Sequence, residues 1–184
     1  MTTKLIKKSS YKIIDNALDD AVFKNLSNLI CSDTFSWYFN TQVAYRTDTV
    51  EQKNNPLTEL QERYNNMYTH TVFVDNCLNT KESIRDAISP VNKMLDMKCL
   101  MRCKINNYGR TPELLHHQDH RDYPFKHKGA LFYINDCDGL TVLEDGTEIK
   151  SVANRLLLFD PSKPHHSTTT TNAPRRININ LNYF

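Results

Sequence analysis

Two short segments of the sequence carry residues that can bind a metal ion. Residues 115–120 contain a histidine and a carboxylate two positions apart, His117 and Asp119, and residues 163–166 add a further histidine at His165. In an extended strand alternate side chains share one face, so His117 and Asp119 can reach the same point. Two imidazoles and one carboxylate on one side of a metal suit Fe(II) and leave coordination positions open. We therefore expect His117, Asp119 and one histidine of residues 163–166, either His165 or His166, to bind Fe(II).

Other histidines surround the first segment, and residue chemistry separates them from His117. His116 could replace His117 only if the second ligand were Gln118, whose neutral amide is a poorer ligand than a carboxylate. His120 and His127 follow the segment closely. We expect these two at the surface or beside the ligands rather than on the metal.

The elements that must position these residues follow from the apolar pattern. After residue 98, apolar runs between polar turns predict strands at 98–105, 130–135, 154–160 and 176–184. Before it, the pattern predicts strands at 11–15, 35–39 and 70–74, helices at 19–31 and 81–95, and a loop or lid at 40–69. We expect Pro90 to kink or split the second helix. Tyr45 and Arg46 could face a substrate from the loop, although solvated loop positions are the interpretation we favour.

The final segment alternates polar and apolar side chains with the period of a strand. The polar positions form one face and are Arg176, Asn178, Asn180 and Asn182. By alternation alone, such a face is ordinarily the solvent face. The same reasoning leaves Arg102, on the strand at 98–105, pointing either to a pocket or to solvent.

The series of motifs over residues 98–184 resembles the 2-oxoglutarate/Fe(II)-dependent dioxygenases, most nearly their prolyl-4-hydroxylase-like branch. It comprises the His-x-Asp, a strand with Tyr133 sixteen residues after His117, a turn at 136–139, a strand ending at Phe159, a Pro-His step at His165, and Arg176 opening the last strand. The N-terminal third is similar to the helical lead-in of small oxygenases encoded by marine phages.

The resemblance implies an α+β fold, a double-stranded β-helix (jelly-roll or cupin-like) barrel with the N-terminal helices packed on one sheet. We expect a single domain over residues 1–184, with a helical lead-in and loop at 1–97 and the barrel core at 98–184. In such a barrel the arginine face of the last strand points inward, into a wet cavity that holds an anion.

The resemblance also assigns roles around the co-substrate, 2-oxoglutarate. Arg176 would hold its distal carboxylate through a two-pronged guanidinium contact, with the Tyr133 hydroxyl as companion. Tyr108 is a candidate for a hydrogen bond to the co-substrate, and Asn178 for contact with the ligand or its waters. Arg175 would lie in the opposite phase, facing outward.

The third ligand is less constrained than the other assignments. His165 and His166 both lie at an acceptable distance before Arg176. Spacing therefore leaves the choice open, and the Pro-His step favours His165.

The implied reaction is the hydroxylation of a substrate C–H bond by O2, with decarboxylation of 2-oxoglutarate to succinate. The carboxylate of Asp119 favours hydroxylation over halogenation, because related halogenases replace it with a small residue. A peptidyl proline is the first substrate to consider. The alternatives are a nucleobase, a sugar or a free amino acid, or a barrel that binds metal without turnover.

Composition indicates which partners and which compartment to expect for the protein. The 184 residues include 23 basic and 21 acidic side chains and carry a net charge of +2, which gives no electrostatic case for nucleic acid or membrane partners. The five cysteines show no metal-site spacing and suit a reducing compartment. We therefore expect a cytoplasmic monomer without a signal peptide or a membrane span.

Overall fold

The computed structural model describes residues 4–7, 10–44 and 57–184. In that part of the chain the helices are α1 (Asp20–Ile30), α2 (Glu59–Arg63) and α3 (Glu82–Lys93). The strands are β1 (Lys4–Lys7), β2 (Tyr11–Asp15), β3 (Tyr38–Asn40), β4 (Met67–Val74), β5 (Cys77–Leu78), β6 (Leu100–Gly109), β7 (Lys128–Tyr133), β8 (Leu140–Leu143), β9 (Glu148–Lys150), β10 (Arg155–Phe159), β11 (His165–Ser167) and β12 (Arg175–Tyr183).

The described strands form two antiparallel sheets. The larger has the order β1-β2-β10-β7-β12-β6-β4-β3, with β5 paired to β4, and the smaller has the order β11-β8-β9. The predicted jelly-roll architecture is confirmed. The large sheet is open, with β1 and β3 at its edges.

The N-terminal half contributes more strands than a helical lead-in implies. β2 pairs with β10, and β4 pairs with β6, so both extend the sheet formed by the C-terminal half. These pairings satisfy backbone groups that the edges of β10 and β6 would otherwise leave open.

Two helices cover one face of the large sheet, as expected. Leu26 and Ile30 from α1 and Ile88 and Val91 from α3 are at most 1% exposed and join the apolar side chains of β6, β7, β10 and β12 in one core. α3 continues through Pro90 as a single element. We attribute this continuity to the packing of Ile88 and Val91, which offsets the backbone hydrogen bond that a proline removes.

The opposite face of β12 is polar and buried. Its apolar side chains Ile177, Ile179 and Leu181 belong to the helix-side core. Its four polar side chains are also buried and are Arg176, Asn178, Asn180 and Asn182. The polar face therefore points inward, as the resemblance implied, and not to solvent as alternation alone would suggest.

The segment at 40–69 is only partly a loop. It includes α2, which begins with a capping box between Thr58 and Gln61, and the start of β4 at Met67. Tyr45 and Arg46 lie outside the described residues. Among the described residues, no helix is long and apolar enough to cross a membrane.

Candidate metal and co-substrate site

A cluster of metal-binding groups lies where the segment after β6 runs beside β11. His120 pairs with His165 across an antiparallel bridge, and each backbone N–H donates to the other residue's carbonyl at 3.0 Å. Asp122 follows two residues later, and its backbone N–H donates to the carbonyl of Pro161 at 3.0 Å. Ligand atoms of His120, Asp122 and His165 all lie within 4.8 Å of one another.

The two histidines of this cluster are held in one tautomer. Nδ1 of His120 donates to the Gln118 carbonyl at 3.3 Å, and Nδ1 of His165 donates to the Lys163 carbonyl at 3.0 Å. A carbonyl oxygen only accepts, so each Nδ1 carries a proton, and Nε2 is the ring nitrogen left to face a metal. Burial and then the neighbouring His165 lower the pKa of His120 to about 4, which keeps that ring neutral near pH 7. The His120 ring is thus in the form that binds a metal.

The carboxylate of Asp122 is ionised and held from both sides. Arg102 Nη2 donates to its Oδ1 at 2.8 Å, and Asn182 Nδ2 donates to its Oδ2 at 2.8 Å. Arg102 Nε also donates to Asn182 Oδ1 at 3.0 Å, which closes the three side chains into a ring of contacts. Burial alone would raise the pKa of Asp122, but Arg102 and the nearby histidines outweigh it and hold that pKa well below its ordinary value. Arg102 therefore faces the site and not solvent.

The structure does not bring the predicted ligands His117 and Asp119 into this cluster. Among the described residues, the group of three metal-binding side chains contains His165 but neither of them. His117 is buried, stacks on Tyr108 with ring centroids 5.4 Å apart, and places Nδ1 2.8 Å from Ser167 Oγ. Its Nε2 is buried without a hydrogen-bond partner. The side chains that the structure brings together with His165 as candidate metal ligands are thus His120 and Asp122, in place of His117 and Asp119.

Asp119 is engaged in a different interaction at the surface. His166 Nδ1 donates to Asp119 Oδ1 at 2.6 Å, and His116 Nδ1 lies 2.9 Å from His166 Nε2. The carboxylate of Asp119 is 45% exposed, whereas that of Asp122 is 4% exposed. His166 therefore serves this surface chain of hydrogen bonds, and His165 is the histidine of β11 that joins the metal-binding cluster.

Strand register explains why neighbouring His-x-Asp pairs differ. His116 pairs with Thr168, and His120 pairs with His165. The first segment therefore advances four residues between the two pairings, whereas the segment from His165 to Thr168 advances only three. The extra residue is a bulge, which changes the phase of the side chains between the two bridges. The sequence does contain the second pair, His120 and Asp122, but a bulge cannot be read from residue spacing.

Arg176 lies on the inward face of β12 and is 0% exposed. Its Nε donates to Ser151 Oγ at 2.7 Å and its Nη2 donates to Thr141 Oγ1 at 2.8 Å. A Cβ at Gly139 would collide with the Arg176 side chain and lie 2.7 Å from the Thr169 carbonyl, so this turn needs glycine for space. No described carboxylate forms an ion pair with Arg176, which leaves a buried guanidinium without a counter-charge.

The other predicted co-substrate residues gather around Arg176. Its guanidinium carbon lies 5.2 Å from the ring centroid of Tyr108 and 5.8 Å from that of Tyr133. The Tyr133 hydroxyl donates to Thr141 Oγ1 at 2.8 Å. Arg175, one residue earlier, is exposed, as expected.

A single cavity connects Arg176 to the metal-binding cluster. Its lining includes Tyr108, His120, His165, Arg176 and Asn178. The amide oxygens of two further lining residues are buried without hydrogen-bond partners, those of Asn106 and Asn180. The unbalanced positive charge of Arg176 indicates a site for an anion, and the two amide oxygens can accept hydrogen bonds from water or from a donor group of a ligand.

Comparisons with known proteins show which solved structures share this architecture. No protein-family model matches the chain, and no curated protein matches it. Solved structures do match. A prolyl hydroxylase from Trichoplax adhaerens, in complex with a hypoxia inducible factor peptide fragment, is 20% identical with a TM-score of 0.61, covering 96% of this chain and 84% of that chain.

Two further structures are similar over nearly the same span. A 2OG-Fe(II) oxygenase family oxidoreductase from Burkholderia pseudomallei is 12% identical, with a TM-score of 0.61 and coverage of 96% of this chain and 86% of that one. The viral collagen prolyl hydroxylase of Paramecium Bursaria Chlorella virus-1 is also 12% identical, with a TM-score of 0.55 and coverage of 95% of each chain. The chain therefore has the fold of the 2-oxoglutarate/Fe(II) oxygenases, as its motifs predicted.

Proposed function

We propose that this protein is an Fe(II)- and 2-oxoglutarate-dependent dioxygenase that hydroxylates a substrate C–H bond. The observation that carries the proposal is the joint presence, along one cavity, of a two-histidine, one-carboxylate cluster and a buried arginine without a carboxylate partner. The first suits Fe(II) with open positions, and the second suits a carboxylate of 2-oxoglutarate. Ferrous iron and 2-oxoglutarate, once bound, supply the oxidising chemistry with O2.

The protein side chains hold and orient these groups. His120, Asp122 and His165 would bind the metal, the two imidazoles through Nε2 and the carboxylate through lone pairs not used by Arg102 and Asn182. Because the protons on both Nδ1 atoms are fixed by backbone carbonyls, the lone pairs are oriented before the metal arrives.

Arg176 would bind the distal carboxylate of 2-oxoglutarate. Tyr133 and Tyr108 flank its guanidinium and exclude water from it, and Asn178 lines the path from Arg176 to the metal. The cavity is narrow, about 30 Å³. Binding a five-carbon diacid therefore requires the lining side chains to move apart.

Peptidyl proline is the substrate that we propose to test first. Two of the similar structures are described as prolyl hydroxylases, which supports testing peptidyl proline first. A fold hosts many targets, so free amino acids, sugars and nucleobases belong in the same screen.

Anaerobic titration with Fe(II) and 2-oxoglutarate tests the proposal. We expect a visible charge-transfer band from the chelate in the wild type, no band in His120→Ala, and a weaker band in Arg176→Gln. Arg175→Gln is the matched control, because this neighbouring arginine is exposed, and it should behave as wild type. No band in the wild type at saturating ligand would favour a metal-binding protein without turnover.

A further inference from the structure

A second cleft adjoins the metal-binding cluster, since His120 and Asp122 also line it. Its lining joins β4, β6 and the segment carrying His120 and Asp122, and its volume is about 260 Å³. This size lies just below the range of roughly 300–1,000 Å³ that is typical of small-ligand sites. The cleft shares His120 with the cavity that leads to Arg176, so an occupant of the cleft would lie beside the metal-binding cluster.

The charged side chains of this cleft are mostly basic. Arg102, Lys104 and Arg121 line it together with one acidic residue, Asp122, which gives three positive charges against one negative. Arg102 and Asp122 neutralise each other through their 2.8 Å ion pair. Arg121 therefore adds a positive charge to the cleft that no described carboxylate pairs with. A bound divalent metal would add to this charge.

Arg121 is the basic residue of this cleft whose side chain is available to bind a ligand. It stands between the two proposed ligands His120 and Asp122, and its side chain is exposed at the cleft. Within the described part of the chain, its guanidinium makes no hydrogen bond or ion pair.

We infer that the substrate carries a carboxylate or a phosphate close to the carbon that is oxidised, and that Arg121 binds this anionic group. A planar guanidinium recognises both oxyanions through paired hydrogen bonds. Thr69 and Thr71 line the same cleft with hydroxyl groups that can take part in hydrogen bonding to the oxyanion. The small volume suits a metabolite or a single side chain. The identity of the reaction rests on the proposed function, but the anion site does not require turnover.

The test is an amide-resolved NMR titration of the ¹⁵N-labelled protein with acetate, inorganic phosphate and acetamide. It is run with and without Zn(II), which replaces iron without redox chemistry. We expect saturable shifts at residues 69–71 and 120–122 with at least one of the two anions and no comparable shifts with neutral acetamide. The two anions distinguish a carboxylate from a phosphate substrate.

Arg121→Gln should weaken the affinity for that anion by about fivefold or more, the effect of losing roughly 1 kcal/mol of ion pairing. Arg110→Gln is the matched control, since Arg110 is an exposed arginine that does not line the cleft. No shifts with either anion, shifts of equal size with acetamide, or unchanged affinity in Arg121→Gln would each overturn the inference. If the anion caused the expected shifts but Zn(II) caused none, the result would contradict the metal site and leave the anion site intact.

Discussion

Two copies of one motif, three residues apart, have different environments in this protein. The pair His117 and Asp119 is split between a buried stacking contact and a surface hydrogen bond. The pair His120 and Asp122 converges with His165 on one point. The residue types are the same, so the difference comes from what surrounds each pair. A motif binds a metal only where the backbone aims both side chains and where other groups hold them there.

The second pair is surrounded by groups that hold it in place. Backbone carbonyls fix the protons of His120 and His165, and Arg102 fixes the carboxylate of Asp122. The first pair is held apart, because His117 contacts Ser167 and Tyr108 in the interior whereas Asp119, 45% exposed, accepts from His166. Four experiments can break or sharpen this comparison.

The largest expected effect is the difference in metal affinity between variants of His120 and His117, the first residues of the two pairs. His120→Ala should reduce the affinity for Co(II) or Fe(II) by more than the roughly 10–100-fold that follows the loss of an outer partner of a ligand. His117→Ala should leave metal affinity within about tenfold of wild type. Isothermal titration with Co(II) measures both. A greater loss of affinity in His117→Ala than in His120→Ala would show that the predicted pair, and not the pair the structure gathers, binds the metal.

A smaller effect is expected from the arginine that holds Asp122. Arg102→Gln removes the charged partner of that carboxylate, so metal affinity should fall by roughly 10–100-fold, as for other partners of metal ligands. Arg110→Gln serves again as an exposed control. Thermal unfolding measured without metal distinguishes weaker binding from loss of the fold. Metal affinity equal to that of the wild type would show that Asn180 and Asn182 are sufficient to position Asp122.

The pH dependence of stability tests the burial of His117. Burial and then the charge of Arg176 lower the pKa of His117 to about 3. Below pH 6.5 the unfolded chain takes up a proton that the folded chain refuses, so the free energy of unfolding falls between about pH 6.5 and 3. Denaturant unfolding of the metal-free protein at pH 7 and pH 5 measures the loss.

His117→Gln removes this titration, so we expect a smaller difference between the two pH values in the variant than in the wild type. His120, whose pKa is lowered to about 4, contributes in the same direction and remains in both proteins. An identical pH dependence in the two proteins would contradict the burial of a neutral His117.

The smallest effect concerns the exposed carboxylate of the first pair. Asp119→Asn weakens a partly exposed contact with His166, so stability should change by about 1 kcal/mol or less. Metal affinity should be close to that of wild type, because Asp119 is outside the cluster. A loss of metal affinity comparable to that of Asp122→Asn, measured by the same titration, would remove the distinction between the two carboxylates.

Much of the fold was readable from local pattern. The strand at Tyr11–Asp15 was predicted with the bounds that the structure shows, and α1 lies within the predicted helix. The predicted loop at 40–69 was partly wrong, because α2 depends on a capping box and β4 begins earlier than its apolar run. The jelly-roll fold is confirmed, but the order of strands in its open large sheet depends on pairing over long range, which local pattern does not give.

The sequence by itself determined which chemical groups are available, namely histidines and carboxylates that suit Fe(II) and one arginine on the alternating face of the last strand. It also determined the succession of strands along the chain. Tertiary structure alone decided which His-x-Asp pair could bind metal. An extra residue in the pairing with β11 resets the phase of the side chains, and Arg102, twenty positions away from Asp122, holds the carboxylate in place. Both depend on contacts between distant segments, which local spacing does not encode.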